Sequence, residues 1–267
     1  MRYAVLFFLF LLLKTFQAFP QNTASEQVKS FDIEAPQLDA SKTIWVYIPK
    51  NYNSSKISYP VIYMHDAQNI FDDATSYTGE WKVDEFLDKL RTKNSIVVGI
   101  EHGNEKRIDE LTPYTNEKYG GGLGDNYLNF IKNTLKPHID STYRTIKSAE
   151  HTTLFGASLG GLISFYGVIK YPDTFGKAGV FSPSFWINEQ IYDFVKTTDI
   201  SALKKFYFLV GAEEGQNMVS NVERMVTILK EKGIKENQIK NTIVKGGRHN
   251  EAFWGEYFGD AYLWLNR

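Results

Sequence analysis

Apolar and polar positions fall into two periods along the chain. Lys29 to Glu34 alternates polar and apolar side chains, the period of a strand with one wet face, and Thr43 to Ile48 repeats it until Pro49 closes the run. Asn51 to Ser58 is rich in turn formers. Short apolar runs follow at Pro60–Met64, Ser95–Ile100, Thr152–Phe155, Ala178–Phe181, Phe206–Val210 and Gln238–Val244, as expected of strands buried in a parallel sheet. Between them the period changes to that of a helix. Trp81–Leu90 sets Val83, Phe86, Leu87 and Leu90 on one face, and Asp125–Leu135 does the same with Leu128, Ile131 and Leu135. Leu159–Ile169, ended by Tyr171-Pro172, reads as a buried helix, and Met218–Leu229 and Glu251–Leu265 are helical by spacing. Strands alternating with helices predict an α/β fold: a mostly parallel central sheet with helices on both faces. The polar stretch from Gly103 to Gly124, with its Gly120-Gly121-Gly122 run, reads as a long surface loop of the kind that shapes a site.

The first twenty residues stand outside this pattern. Arg2 precedes an apolar run from Tyr3 to Leu13, and Lys14 to Asn22 turns polar again, which predicts a secretory signal peptide over residues 1–20. The apolar run is short of the roughly 20 residues a membrane span needs, so no stable membrane insertion is expected once the leader is removed. The mature chain, 21–267, is expected to be one domain, exported to the periplasm or secreted. With 267 residues, 43% of them apolar, it can bury a substantial core. A net charge of −1 without basic runs argues against nucleic-acid binding, and the absence of cysteine excludes disulfides, thiolate metal sites and a cysteine nucleophile.

Candidate chemistry centres on Gly156-Ala157-Ser158-Leu159-Gly160. This matches the Gly-x-Ser-x-Gly nucleophile elbow, in which small flanking residues allow a sharp strand-to-helix turn that raises the serine hydroxyl clear of the sheet. The bare pattern arises by chance about once in ten such chains, but here it sits between a predicted strand and a predicted helix. A serine hydroxyl needs a neighbouring base, and in this fold the chain order is serine, acid, histidine. Of five histidines, only His249 follows Ser158, in the glycine-rich loop between the last strand and the last helix. The acid is expected after the strand Phe206–Val210, at Glu213 or Glu214, with Asp193 as the alternative. Oxyanion donors are expected at the N–H of Leu159 and at that of Ala67 or Gln68, after the strand ending near Met64. Phe185, Trp186 and Trp254 are candidates for lining a substrate pocket. Nothing has the spacing of a metal-ligand cluster such as His-Glu-x-x-His, and no metal or cofactor is expected.

The stretches His65 to Asp72, Gly156 to Gly161, Phe181 to Trp186 and His249 to Trp254 resemble the Putative esterase family, which includes enterochelin esterase-like enzymes, feruloyl esterases, S-formylglutathione hydrolase and the mycolyltransferases. The resemblance spans about residues 28 to 265, with the motifs in the family's order. It implies the α/β-hydrolase fold, Ser158 and His249 as catalytic residues, and an acid three positions after a strand-ending glycine, which falls on Glu214. Many relatives have Asp at that position, and many have Gly where Ala67 stands, so a methyl group here is expected to narrow the space around the oxyanion. The implied activity is serine-dependent hydrolysis of a small-molecule or glycan ester, on siderophore, feruloyl or acetyl substrates. The alternatives are an acyltransferase on the same machinery or an idle binding protein on the same scaffold. Oligomeric state is not set by any of these features.

Overall fold

The computed structural model describes residues 22–92, 94–200, 205–215 and 217–267, so the leader expected over residues 1–20 lies outside the described residues. Among the described residues eight strands form one sheet: β1 (Val28–Ala35), β2 (Ala40–Tyr47), β3 (Val61–His65), β4 (Ile96–Ile100), β5 (Thr152–Ala157), β6 (Lys177–Phe181), β7 (Lys205–Gly211) and β8 (Ile239–Val244). Their order is β1-β2-β4-β3-β5-β6-β7-β8. The hairpin β1–β2 is antiparallel and joins antiparallel to β4, and from β4 onward every neighbour is parallel. Every strand coincides with a run read from the pattern.

Among the described residues eight α-helices complete the fold: α1 (Val83–Asp88), α2 (Arg107–Leu111), α3 (Gly124–Phe130), α4 (Lys136–Thr142), α5 (Leu159–Lys170), α6 (Gln190–Thr197), α7 (Met218–Glu231) and α8 (Glu251–Leu265). Alternate residues of the buried strands serve opposite layers. Tyr63, Leu154, Val180 and Phe208 join the core beneath α3, α5 and α7. Met64, Phe155, Phe181 and Leu209 join the core beneath α1 and α8. A strand buried on both faces has no polar face to show, which is why these runs read as continuously apolar. Among the described residues no helix is long and apolar enough to cross a membrane.

Two expectations need correction. The helix expected over Asp125–Leu135 runs further: α3 passes through a wider turn at Ile131–Leu135 into α4. The stretch 103–124 is not wholly a surface loop. It contains α2, and Glu110, Leu111 and Thr112 are buried. The cause is a long-range pair: the Lys42 ammonium on β2 donates to both Glu110 carboxylate oxygens at 2.6 Å and draws the segment inward. Pattern reading also missed α6, a short helix with only Ile191, Tyr192 and Val195 buried.

Parallel register sets Ala157 beside Phe181, Phe181 beside Leu209, and Gly211 beside Val244. The loops after β5, β6, β7 and β8 therefore emerge together at the carboxyl edge of the sheet, where open α/β folds hold their ligands.

Candidate active site

β5 ends at Ala157 and α5 begins at Leu159, so Ser158 alone makes the turn. Its φ of 58° and ψ of −121° are a conformation that L-residues rarely adopt. Neighbours enforce it: the Ser158 N–H donates to the Phe181 carbonyl at 2.9 Å, and the Ser158 carbonyl accepts from the Ser184 N–H at 3.1 Å. Gly156 is required for the same reason, since a Cβ there would stand 2.8 Å from the carbonyl carbon of Gly160. The Ser158 hydroxyl lies 3.1 Å from the Ser184 hydroxyl, at the N-terminus of a twelve-residue helix. The N–H of Leu159 opens that helix and has no partner within it.

His249 sits in the loop between β8 and α8, with its Nδ1 3.0 Å from Oε2 of Glu214. The Glu214 side chain is fully buried, and its other oxygen accepts from the Gly211 N–H at 2.7 Å and the Ser182 hydroxyl at 2.6 Å. A carboxylate can only accept, so Nδ1 carries the proton and Nε2 is left as the basic nitrogen. The Trp254 indole donates to the Ser182 hydroxyl at 2.8 Å and meets the His249 ring edge-on, with centroids 4.8 Å apart. Two loops must touch for this to form. The Glu213 N–H donates to the Gly247 carbonyl at 3.0 Å, and a side chain at Gly211 would run into that same carbonyl.

The two adjacent glutamates are thus in different environments. Glu213 points to solvent and pairs with Arg248 at 3.2 Å. Asp193 lies on α6, exposed, paired with Lys196 at 3.3 Å.

Ser158 and His249 open onto one cleft of about 370 Å³, whose opposite wall comes from the loops after β3 and β4. Ala67, Gln68 and Asn69 form a single tight turn after β3, preceded by Asp66 at φ 61°. Arg107 clamps that aspartate with two bonds, Nε to Oδ1 at 2.7 Å and Nη2 to Oδ2 at 2.8 Å. Burial alone would raise the Asp66 pKa, but the adjacent guanidinium holds it below the usual carboxylate value. The Gln68 side chain bonds the backbone of His102 on the β4 side. The Ala67 methyl faces Gly99 of β4, where an added Cβ would come within 3.0 Å of it. It therefore packs into the sheet and does not narrow the cleft as expected.

Two more histidines line the wall. The Nδ1 of His65 is 2.7 Å from the Tyr127 hydroxyl, and burial lowers its pKa to about 4, so it is neutral near pH 7. His102 is also lowered, chiefly by burial, and its Nδ1 accepts the Asn104 N–H at 3.0 Å. His65, His102, His138 and His151 precede Ser158 in the chain, and none meets a carboxylate as His249 does.

The expected pocket residues separate. Trp254 lines the cleft. Phe185 does not: it is fully buried against Phe165 and Tyr192 in the core, because the turn after β6 folds it under the sheet edge. Trp186 is half-exposed and packs edge-on against Tyr119, away from the cleft lining. Sequence reasoning missed Ser182, Ser184 and the Asp66–Arg107 clamp. Both serines stand in a stretch already singled out, but no local spacing ties Ser182 to a carboxylate 32 residues away.

Comparison with known proteins bears on the family and the fold. The family model described as Putative esterase matches residues 35–265. An uncharacterized protein of Bacillus subtilis (strain 168), YbbA, is 30% identical over 237 residues, 82% of this chain and 90% of that protein. The ferri-bacillibactin esterase BesA of the same organism is 29% identical over 170 residues, 55% of each chain. The siderophore hydrolase EstA from Aspergillus nidulans superposes with a TM-score of 0.73 at 18% identity, covering 90% of this chain and 94% of its own, a likeness of fold. The chain belongs to the Putative esterase family and is a carboxylic ester hydrolase on an α/β-hydrolase fold.

Proposed function

We propose that the chain hydrolyses esters through an acyl-enzyme on Ser158, with His249 as general base and Glu214 as the acid that orients it. The observation that carries this reading is the bond between His249 Nδ1 and the buried Glu214 carboxylate, on the same cleft as a serine held at an elbow. In the first step the Ser158 hydroxyl swings from Ser184 towards Nε2 of His249, gives up its proton and attacks the ester carbonyl. Negative charge gathers on the carbonyl oxygen, where the N–H groups of Leu159 and of Ala67 or Gln68 receive it. The imidazolium then returns its proton to the departing alcohol. Water repeats the sequence on the acyl-enzyme and frees the acid. The Glu214 carboxylate stabilises the imidazolium. No step needs a metal.

The substrate class proposed is a small-molecule siderophore ester. The cleft volume suits a small ligand, Trp81 and Trp254 give it an aromatic wall, and a relative from Aspergillus fumigatus, 27% identical over about half of each chain, is by name a siderophore triacetylfusarinine C esterase. Export through a leader over residues 1–20 belongs to the same reading, and N-terminal sequencing of protein recovered outside the cytoplasm tests it.

The deciding experiment is hydrolysis of short p-nitrophenyl esters and of siderophore triesters by wild type and Ser158→Ala, with fluorophosphonate labelling of both. Wild type should hydrolyse and label, and Ser158→Ala should lose at least about 10³-fold in kcat while remaining folded. Equal turnover by the two proteins would remove Ser158 from the mechanism. Turnover that appears only with an added alcohol acceptor would make the chain an acyltransferase.

A further inference from the structure

On the far side of Trp81 from the catalytic cleft, three carboxylates crowd together. One oxygen from each of Glu80, Asp84 and Glu85 lies within 4.8 Å of the others. Asp84 is fully buried and Glu80 is 6% exposed. Their outward oxygens are satisfied by the N-terminal segment: the Thr23 hydroxyl donates to Glu80 Oε1 at 2.7 Å, and the Ser25 N–H donates to Asp84 Oδ2 at 2.6 Å. Their remaining oxygens are not. Glu80 Oε2, Asp84 Oδ1 and Glu85 Oε2 are each shielded from solvent without a hydrogen-bond partner. Among the described residues no lysine or arginine pairs with any of the three.

Buried carboxylate oxygens without partners are costly, and three in one place cost more than three apart. A cation placed between them would remove that cost. We propose that Glu80, Asp84 and Glu85 form a structural divalent-cation site, of calcium type, that fastens the N-terminal segment to the loop beneath the catalytic cleft. The donor set consists of hard oxygens, without the nitrogen or sulfur that zinc or copper favours. Calcium tolerates an irregular shell of oxygen ligands, whereas magnesium demands near-ideal octahedral geometry and gives up its waters reluctantly. Water would complete the shell on the side of Glu85, which is partly exposed.

The site has a structural reason to matter for the esterase. Trp81 follows Glu80 directly, stacks on Phe181 at 5.7 Å and touches Trp254 at 5.8 Å. Trp254 in turn holds Ser182 and borders His249. The cation would fix the base of that aromatic stack without touching substrate.

The test uses the purified protein stripped with a chelator. Terbium, an oxygen-seeking stand-in for calcium, should give luminescence sensitised by Trp81, and calcium should displace it. Calcium at about 1 mM should raise the melting temperature by several degrees. Asp84→Asn and Glu80→Gln should each weaken binding at least tenfold. Trp81→Phe should lose the luminescence but keep the calcium-dependent stabilisation. Ser158→Ala should bind like wild type, which separates this site from the catalytic one. If Asp84→Asn fails to fold, Glu85→Gln carries the comparison, since that side chain is partly exposed. The proposal is overturned if terbium gives no sensitised luminescence and about 10 mM calcium does not stabilise the wild type, or if the carboxylate variants respond as the wild type does.

Discussion

The Ser182 hydroxyl donates a 2.6 Å hydrogen bond to Oε1 of Glu214, the carboxylate whose other oxygen meets His249. Ser182 itself accepts from the Trp254 indole at 2.8 Å, so its rotor is fixed and its proton is aimed at the acid. A chain of directed donors holds a carboxylate in place more firmly than a single contact does. Ser182→Ala should therefore lower kcat by about 10- to 100-fold with KM nearly unchanged, because the lost group orients the base and does not bind substrate. Trp254→Phe acts on the same chain, so the double variant should lose little more than Ser182→Ala alone. Steady-state kinetics on the four proteins would reveal an independent role for Trp254 if the losses simply multiplied.

Glu213 and Glu214 are adjacent in sequence but not in consequence. Glu214→Gln keeps the volume of the side chain but replaces a charged acceptor at Nδ1 of His249, and kcat should fall by about 10³- to 10⁴-fold. Glu213→Gln removes only an exposed pair with Arg248 and should leave both kcat and melting temperature within about experimental error of wild type. Reversal of this order in a kinetic comparison would move the acid to the wrong side of the loop.

His65 should make the protein sensitive to acid. Burial holds its folded pKa near 4, below the ordinary 6.5 that it regains on unfolding. The unfolded chain therefore binds the extra proton first. The stability contributed by the neutral imidazole is fully present above about pH 6.5 and is lost as pH falls towards 4, by an amount on the order of 3 kcal/mol. His65→Asn keeps a polar atom for the Tyr127 hydroxyl but does not titrate, so its unfolding free energy should change less over this range. Urea titrations of both proteins at pH 4.5 and 7 give the comparison, and parallel pH curves would refute it.

Lys42 and Glu110 form an ion pair with side chains 4% and 3% exposed. Lys42→Met leaves the Glu110 charge buried and alone, and should cost about 3–5 kcal/mol in denaturant unfolding. Lys42→Met combined with Glu110→Gln should recover most of that loss, because the amide is neutral and its oxygen can still accept the Gly103 N–H, which reaches Glu110 at 3.1 Å. The pair also positions α2, so Lys42→Met should disturb the Arg107 clamp on Asp66 and lower activity beyond its effect on stability.

The sheet was legible because its signal is local. Runs such as Tyr63-Met64 and Phe206–Val210 are apolar at every position and too short for a buried helix, which leaves a strand covered on both faces. The elbow was legible because its glycines answer contacts within a few residues, as Gly156 does with Gly160. His249 was found by elimination and chain order. Long-range pairing was not legible: nothing near Glu110 announces Lys42 at 68 residues' distance, so its segment read as a loop. Phe185 read as a pocket residue because its position after β6 is right, but the direction of its side chain is set by the turn's backbone, which residue type does not encode.

By itself, then, the sequence determined the sheet, the longer helices that cover it, the elbow at Ser158 and the loop that holds His249, because hydrophobic period and local sterics act over a few residues. Only the tertiary structure decided between Glu213 and Glu214 as the partner of His249, placed Ser182 behind that carboxylate, clamped Asp66 with Arg107 and gathered Glu80, Asp84 and Glu85 under Trp81. In the first two cases parallel strand register brings distant loops to one edge of the sheet. In the others, packing decides which polar groups lose water and must find a partner, and that depends on the whole fold.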